Sequence, residues 1–226
     1  MRREVERVTV TTQTDQLIEA LVTGAKPVRR LRPPMLRAAF WLALAGALIA
    51  GITVYHANEE GEGLKHLFGD LAHTKFTLQW LASLATGITA VIAAFELSLP
   101  DRSRAWRLLP VPAAALWLLT LGYGCFTDWV EYGPDGFVAG HSVQCLTTII
   151  GTSVPLGLGL AFMLSHAGAS RPVDTIVIGA LGLAALSATG LSLYHDLDAT
   201  LMIIVWHVVV ASLVVAISRL RARRRA

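Results

Sequence analysis

The sequence predicts an all-α polytopic membrane protein with six transmembrane helices and both termini in the cytoplasm. Three observations carry that expectation: the composition, the length of the apolar runs and the distribution of charge. Of 226 residues, 54% are hydrophobic and only 15% charged, with a mean hydropathy of +0.56. A soluble domain is about 25% charged. From Ala38 onward the charges sit in short clusters between apolar runs, each about 20 residues long, as a helix needs to cross about 30 Å of hydrocarbon. Only helices and closed barrels satisfy every backbone group in lipid, and a barrel would alternate polarity in segments of about ten residues. A disordered chain, a disulfide-stapled secreted domain and an ordinary soluble enzyme are excluded.

The expected spans, in order, are Ala38 to Tyr55, Phe76 to Leu99 (closed by Pro100), about Leu108 to Phe126, His141 to Leu164, Val173 to Tyr194, and Ala199 to Ser218. The polar tail of residues 1–37 is too long for the charged region of a signal peptide, so the first span is read as retained. Three segments follow: a cytoplasmic tail (1–37), a membrane domain (38–218) and a basic C-terminus (219–226). No internal repeat is visible, which leaves an inverted-repeat transporter without support.

Orientation follows from the basic residues. With six spans the termini share one side, and seventeen of the nineteen Lys and Arg fall there. Only Lys65 and Lys75 lie opposite, with nine acids including Asp128, Glu131 and Asp196. The positive-inside rule then places both termini in the cytoplasm. The basic residues flank helix ends and read as anchors to membrane lipids with anionic headgroups; the pI near 9.1 is no sign of nucleic-acid binding.

Inside the spans, Ala180, Ala184 and Ala188 allow close helix contact. Pro155 removes a backbone donor in the fourth span and is expected to kink it, with Thr152 or Ser153 taking the freed carbonyl. The kink is either shape or a hinge. His207 is an ionisable group inside the sixth span, where such a group is costly and faces the bundle. Pro155 and His207 are the candidate intramembrane switch. Glu96, near the inner end of the second span, reads as solvated and without a special role.

The cytoplasmic tail is the informative polar segment. Thr14 to Gly24 reads as a short helix with Thr14 as N-cap, Asp15 at the positive end of the dipole and Gly24 as the stop. Leu17, Ile18, Leu21 and Val22 form one apolar stripe; Asp15, Glu19 and Thr23 lie opposite. So short a helix is marginal alone, and its stripe needs a surface. A bilayer-lying helix carries Lys or Arg on its polar face, whereas an anionic leaflet repels Asp15 and Glu19. Packing on the chain's own loops and docking in a partner's groove both remain open.

The TDQLIEAL run (Thr14 to Leu21), the juxtamembrane VRRLRPP (Val28 to Pro34), the LSLP end of the second span (Leu97 to Pro100) with Arg102, the Cys145 to Pro155 stretch and LYHDLDATLMIIVWH (Leu193 to His207) follow one another in the chain. In these motifs and their order the sequence resembles the NrsF family of bacterial anti-sigma factors, six-span inner-membrane proteins. The resemblance implies that the chain holds an extracytoplasmic-function (ECF) sigma factor at the inner membrane and releases it on a stress signal sensed at or beyond the membrane. It implies a sigma-binding surface centred on Thr14, Asp15, Leu17, Ile18, Leu21 and Val22.

Family members often carry one cysteine near the outer end of the fourth span and another in the last outer loop. Cys145 matches the first. The second position falls near Tyr194 and His195, which are not cysteines, and Cys125 stands instead at the outer end of the third span. A thiol-based scheme of the family's kind would need rewiring here. Cys125, Cys145, His141 and His195 form the candidate redox or metal-sensing group, though their spacings match no known ligand pattern. The two cysteines read either as a periplasmic disulfide or as small buried apolar residues.

No nucleophile–base arrangement points to an enzyme, and no cofactor is called for. Two other classes stand beside the regulator: a transporter or channel, which needs a polar pathway at mid-membrane, and a haem-binding electron carrier, which needs paired intramembrane histidines. The sequence does not specify the signal, the cognate sigma factor or the oligomeric state.

Overall fold

The computed structural model describes residues 14–24, 31–59, 73–132, 142–166 and 172–193. It divides the chain into two units, Met1–Arg32 and Pro33–Ala226. Within the first, residues 14–24 form helix α1, in which Thr23 Oγ1 donates to the Glu19 carbonyl at 2.7 Å.

The second unit is built, among the described residues, of helices without strands. They are α2 (Pro34–Glu59), α3 (Thr74–Leu97), a 3₁₀ turn (Arg104–Leu108), α4 (Val111–Tyr132), α5 (Ser142–Ser165) and α6 (Pro172–Leu191). Among the described residues, four stretches are long and apolar enough to cross a membrane: Pro34–Tyr55, Thr74–Leu97, Arg104–Gly124 and Val173–Leu191; Ile150–Ser165 in α5 is a shorter apolar stretch. The sixth expected span, Ala199 to Ser218, lies outside the described residues, as does the C-terminus from 219.

Helix ends follow local chemistry. Pro34 opens α2, where a fixed φ suits the first helical position and a missing N–H costs nothing; the Arg37 N–H closes the first turn on the Pro33 carbonyl at 3.2 Å. Helix α3 ends two residues before the expected Leu99. The Ser98 and Leu99 amides bond back to Ala94 and Glu96, and Pro100 then prevents continuation. The third apolar stretch, Arg104–Gly124, takes in the 3₁₀ turn, and its α-helix proper begins at Val111, just after the expected Leu108. Ser103 caps the 3₁₀ turn by accepting from the Ala105 amide at 3.1 Å, and Pro110 and Pro112 set the start of α4.

Helix α3 is the centre of the bundle. It packs most extensively on α6 and also meets α2, α4 and the 3₁₀ turn. One cluster gathers Ala38, Trp41 and Ala45 of α2, Val91 and Phe95 of α3, Leu156, Leu160 and Leu164 of α5, and Leu186 of α6; a second gathers Ala82, Trp117, Leu121, Ala185 and Ala188. Large side chains on the outer faces, such as Phe40, Leu44, Leu118, Leu119, Leu158 and Phe162, are exposed, as lipid-facing positions are.

Small residues do bring two helices together, in a register different from the expected one. A Cβ on Gly87 would lie 2.6 Å from Leu186 Cγ and 3.2 Å from its backbone nitrogen; one on Gly182 would lie 3.0 Å from Val91 Cγ2 and 3.2 Å from the Val91 nitrogen. The α3–α6 contact thus rests on Gly87 and Gly182. Of the expected alanines, Ala188 is buried, and Ala180 and Ala184 are half-buried beside the seam.

Candidate functional site

Helix α1 presents four apolar side chains, Leu17, Ile18, Leu21 and Val22, each more than half exposed. Asp15 and Glu19 are exposed as well. The four recur at the spacing that places them on one face. An apolar stripe on a helix this short supplies little stability to the helix itself; its chemical capacity is to fill a groove of complementary shape.

The bundle keeps its polar groups inside and mostly paired. Ser83 Oγ and Thr189 Oγ1 lie 2.9 Å apart, joining α3 to α6, and Ser153 Oγ and Ser187 Oγ lie 2.9 Å apart, joining α5 to α6. Thr86 and Thr189 also donate to carbonyls one turn back. Near one end of α3, a small cleft is lined by Phe76, Gln79, Trp80, Ser83, Trp117, Leu121, Ala188 and Ser192; the Trp80 Nε1 proton there has no partner.

Charge is concentrated at the opposite end. Glu96 is 2% exposed and its Oε2 lies 3.0 Å from Arg102 Nε. The N–H is not aimed along that line, so the contact is Coulombic and Oε2 receives no directed hydrogen bond. This corrects the expectation of a solvated Glu96: the chain turns back at Ser98–Pro100 and folds the carboxylate under itself, and Arg102 neutralises it. Arg37 of α2 is buried too. Its Nη2 donates to the Met163 carbonyl in the last turn of α5, and its guanidinium carbon stands 5.1 Å from the centre of the Phe95 ring.

The remaining sequence candidates are not brought together in the described part of the molecule. Cys125 lies in α4 and Cys145 in α5, with side chains outside the description. His141, His195 and His207 lie outside the described residues. Pro155 lies within α5, which runs through it as continuous helix, and its ring is exposed. Ser153, one of the two hydroxyls (with Thr152) expected to take the carbonyl freed by Pro155, reaches Ser187 across the helix interface, because a partner hydroxyl stands within reach. Among the described residues no three His, Cys, Asp or Glu side chains gather as a metal site.

Arg37 and Glu96 were missed as a structural pair of ends. A signal for each was present: Arg37 is a charge in the first turn of an apolar helix, and Glu96 precedes a turn that returns an arginine six positions on. An intramembrane charge calls for a named counterpart.

These features define a class: a helical membrane protein whose described helices are joined by hydroxyl pairs, with a short amphipathic helix earlier in the chain. The family is more specific. The chain matches the NrsF family model, described as Negative regulator of sigma F, over residues 21–225, and it belongs to that family. The family is one of regulators rather than enzymes, and its name makes a sigma factor the partner. The matched region begins at Leu21, so Thr14 to Ala20 precede it. No curated protein and no solved structure matches the chain.

Proposed function

We propose that this protein is a membrane-bound anti-sigma factor of the bacterial inner membrane. It crosses the membrane six times with both termini in the cytoplasm, holds an ECF sigma factor through α1, and releases it when a stress signal acts at or beyond the membrane. Membership of a family of negative regulators of a sigma factor carries the reading. The exposed stripe of α1 supports it as the contact surface, with Thr14 and Asp15 at its start. Burying four aliphatic side chains at about 1.5–3 kcal/mol each, less ordering costs, is compatible with reversible sequestration. The redox version of the signal assigns sensing to Cys125 and Cys145, with His141 and His195 beside them.

The test is co-purification of the full-length protein from detergent-solubilised membranes, with mass spectrometry of what it retains. An ECF sigma factor is expected with the wild-type chain and its loss with Leu21→Asp. A wild-type chain that retains no sigma factor overturns the reading; a Leu21→Asp chain that retains it as well as wild type removes α1 from the account.

A further inference from the structure

The small cleft near the Thr74 end of α3 lies between three helices. Phe76, Gln79 and Trp80 of α3 face Trp117 and Leu121 of α4, and Ser192 closes it just beyond α6. The Trp80 Nε1 proton is buried and has no partner among the described residues. Within a membrane a buried donor has no bulk water to turn to, and leaving it unmet costs more than an ordinary hydrogen bond returns. The neighbouring hydroxyl protons are already spent. Ser192 Oγ donates to the Thr189 carbonyl at 3.0 Å, and Ser83 Oγ lies 2.8 Å from the Trp80 carbonyl and 2.9 Å from Thr189 Oγ1. The cleft holds about 10 Å³, room for one water-sized group. What it suits is a single acceptor oxygen rather than a ring or a whole head group.

Depth, surface and charge indicate where that oxygen comes from. Trp80 stands about 9 Å along the axis from Thr74, and helical side chains lean toward the N-terminus. The indole therefore approaches the membrane–water boundary, the level at which tryptophans collect. Leu116 and Leu118, on either side of Trp117 in α4, are exposed, as lipid-facing positions are. A cation stands at the same end: Lys75 precedes Phe76, and its Nζ lies 5.3 Å from the centre of the Tyr123 ring. Lys75 and Trp80 are about 7.5 Å apart along α3. In a phospholipid the phosphate and the nearest ester carbonyl are separated by a few bonds of glycerol, a span that matches once the flexible lysine is allowed its reach.

We propose that this cleft is a phospholipid site. Trp80 Nε1 donates its proton to an ester carbonyl oxygen, the Lys75 ammonium faces the phosphate, and the acyl chains lie along the exposed face of α4. A water molecule is the poorer occupant, because buried waters commonly make about three hydrogen bonds and both serine protons beside this cleft are already used. The site lies wholly within the second unit and does not rest on the anti-sigma reading.

The test is a lipid titration of the full-length protein, delipidated in detergent, with bound lipid counted by native mass spectrometry. Two probes are compared: dioleoylphosphatidylglycerol and its diether analogue, which keeps the phosphate and the chains but has no ester carbonyl. Wild type is expected to bind the diester about 3- to 10-fold more tightly than the diether, the worth of one hydrogen bond. Trp80→Phe keeps a ring and deletes the proton; it is expected to bind the two lipids equally. Lys75→Gln is expected to weaken both by about 3-fold at low salt, where an exposed charge acts most strongly, and to keep the preference for the diester. A wild-type chain that does not distinguish the two lipids overturns the proposal and leaves the Trp80 proton to water. A Trp80→Phe chain that retains the preference overturns it as well, and a Lys75→Gln chain that binds both as wild type does removes the phosphate contact. Should Trp80→Phe fail to accumulate, the comparison of diester with diether on the wild-type chain decides alone. No sigma factor enters these readouts, so the lipid site and the anti-sigma reading stand or fall separately.

Discussion

Helix α1, 11 residues long, and helix α3, 24 residues long, both carry apolar residues interrupted by Thr, and they differ in what surrounds them. Helix α3 buries residues around most of its circumference, from Phe76 through Ala82, Thr86, Val91 and Phe95 to Leu97. Helix α1 buries none of its residues. Along α3 the small residues permit contact close enough for a neighbouring backbone to stand in for side-chain volume, and hydroxyls find hydroxyls. Along α1 the aliphatic side chains are large and the opposite face is acidic. The difference separates two tasks. Residues of α3 build the membrane unit; under the proposed function, residues of α1 are expected to govern what the chain holds. Substitutions in the two helices are therefore expected to sort cleanly into stability and capture.

The largest effect is expected at Gly87. Gly87→Leu drives a side chain into Leu186 and its backbone, where even a Cβ stands at 2.6 Å and 3.2 Å. Overpacking of this kind costs about 1–3 kcal/mol where neighbours yield, and more where the obstacle is backbone. The variant is expected to lose the folded membrane unit, seen as low abundance in membranes and an early transition in detergent melting. A variant melting with wild type would mean that α3 and α6 are not in the contact described.

Next comes Leu21→Asp in α1. It removes one of four aliphatic contacts and adds a charge to the stripe. The expected loss is at least about 10-fold in sigma-factor affinity by a titration with solubilised protein, which is roughly 1.4 kcal/mol, while the melting curve stays that of wild type. A shift in melting would make α1 part of the bundle's stability and break the comparison.

Glu96→Gln is expected to act more modestly and on stability alone. Breaking a buried ion pair by removing one partner is severe when both ends are desolvated. Here Arg102 is 43% exposed and turns to water, so about 1 kcal/mol is expected, read as a small decrease in detergent melting temperature. Sigma capture is unaffected. A large loss of capture with unchanged melting would instead assign the turn after α3 to the partner surface.

Much of this was legible in the residues. Run length and composition predict the helices, because the bilayer imposes both a length and an apolar lining that few sequences satisfy by accident. The alternation of Leu17, Ile18, Leu21 and Val22 with Asp15 and Glu19 marks α1 for the same reason of periodicity. Which small residues meet was not legible. Alanines and glycines recur along α6 at helical spacing on more than one face, and the choice of Gly179, Gly182 and Ala185 over Ala180 and Ala184 depends on a partner helix distant in sequence. Glu96 was misread because depth was judged from its place near a helix end. Burial came from the turn that follows, which brings Arg102 back to it. Of the two hydroxyls expected near the carbonyl freed by Pro155, Thr152 and Ser153, the second reaches across to Ser187, and the sequence does not show that Ser187 will lie opposite.

The smallest expected effect tests that last point. In lipid a hydroxyl has little alternative to an intraprotein partner, which on its own argues for a strong Ser–Ser bridge between helices. Measured interhelical hydrogen bonds average only about 0.6 kcal/mol, because the separated helices satisfy their hydroxyls on their own backbone. Ser153→Ala frees Ser187, which can turn to a carbonyl one turn back as Thr189 does at 2.8 Å. The expected change in melting is therefore near the limit of detection, with sigma capture unchanged. Ser83→Ala cuts the α3–α6 bridge, whose other member, Thr189, already has that carbonyl, and should cost no more. If Ser153→Ala instead alters repression without altering melting, the α5–α6 bridge beside Pro155 is not glue but part of the movement that reaches the tail, and the division between a structural bundle and a functional tail runs through α5 rather than ahead of α2.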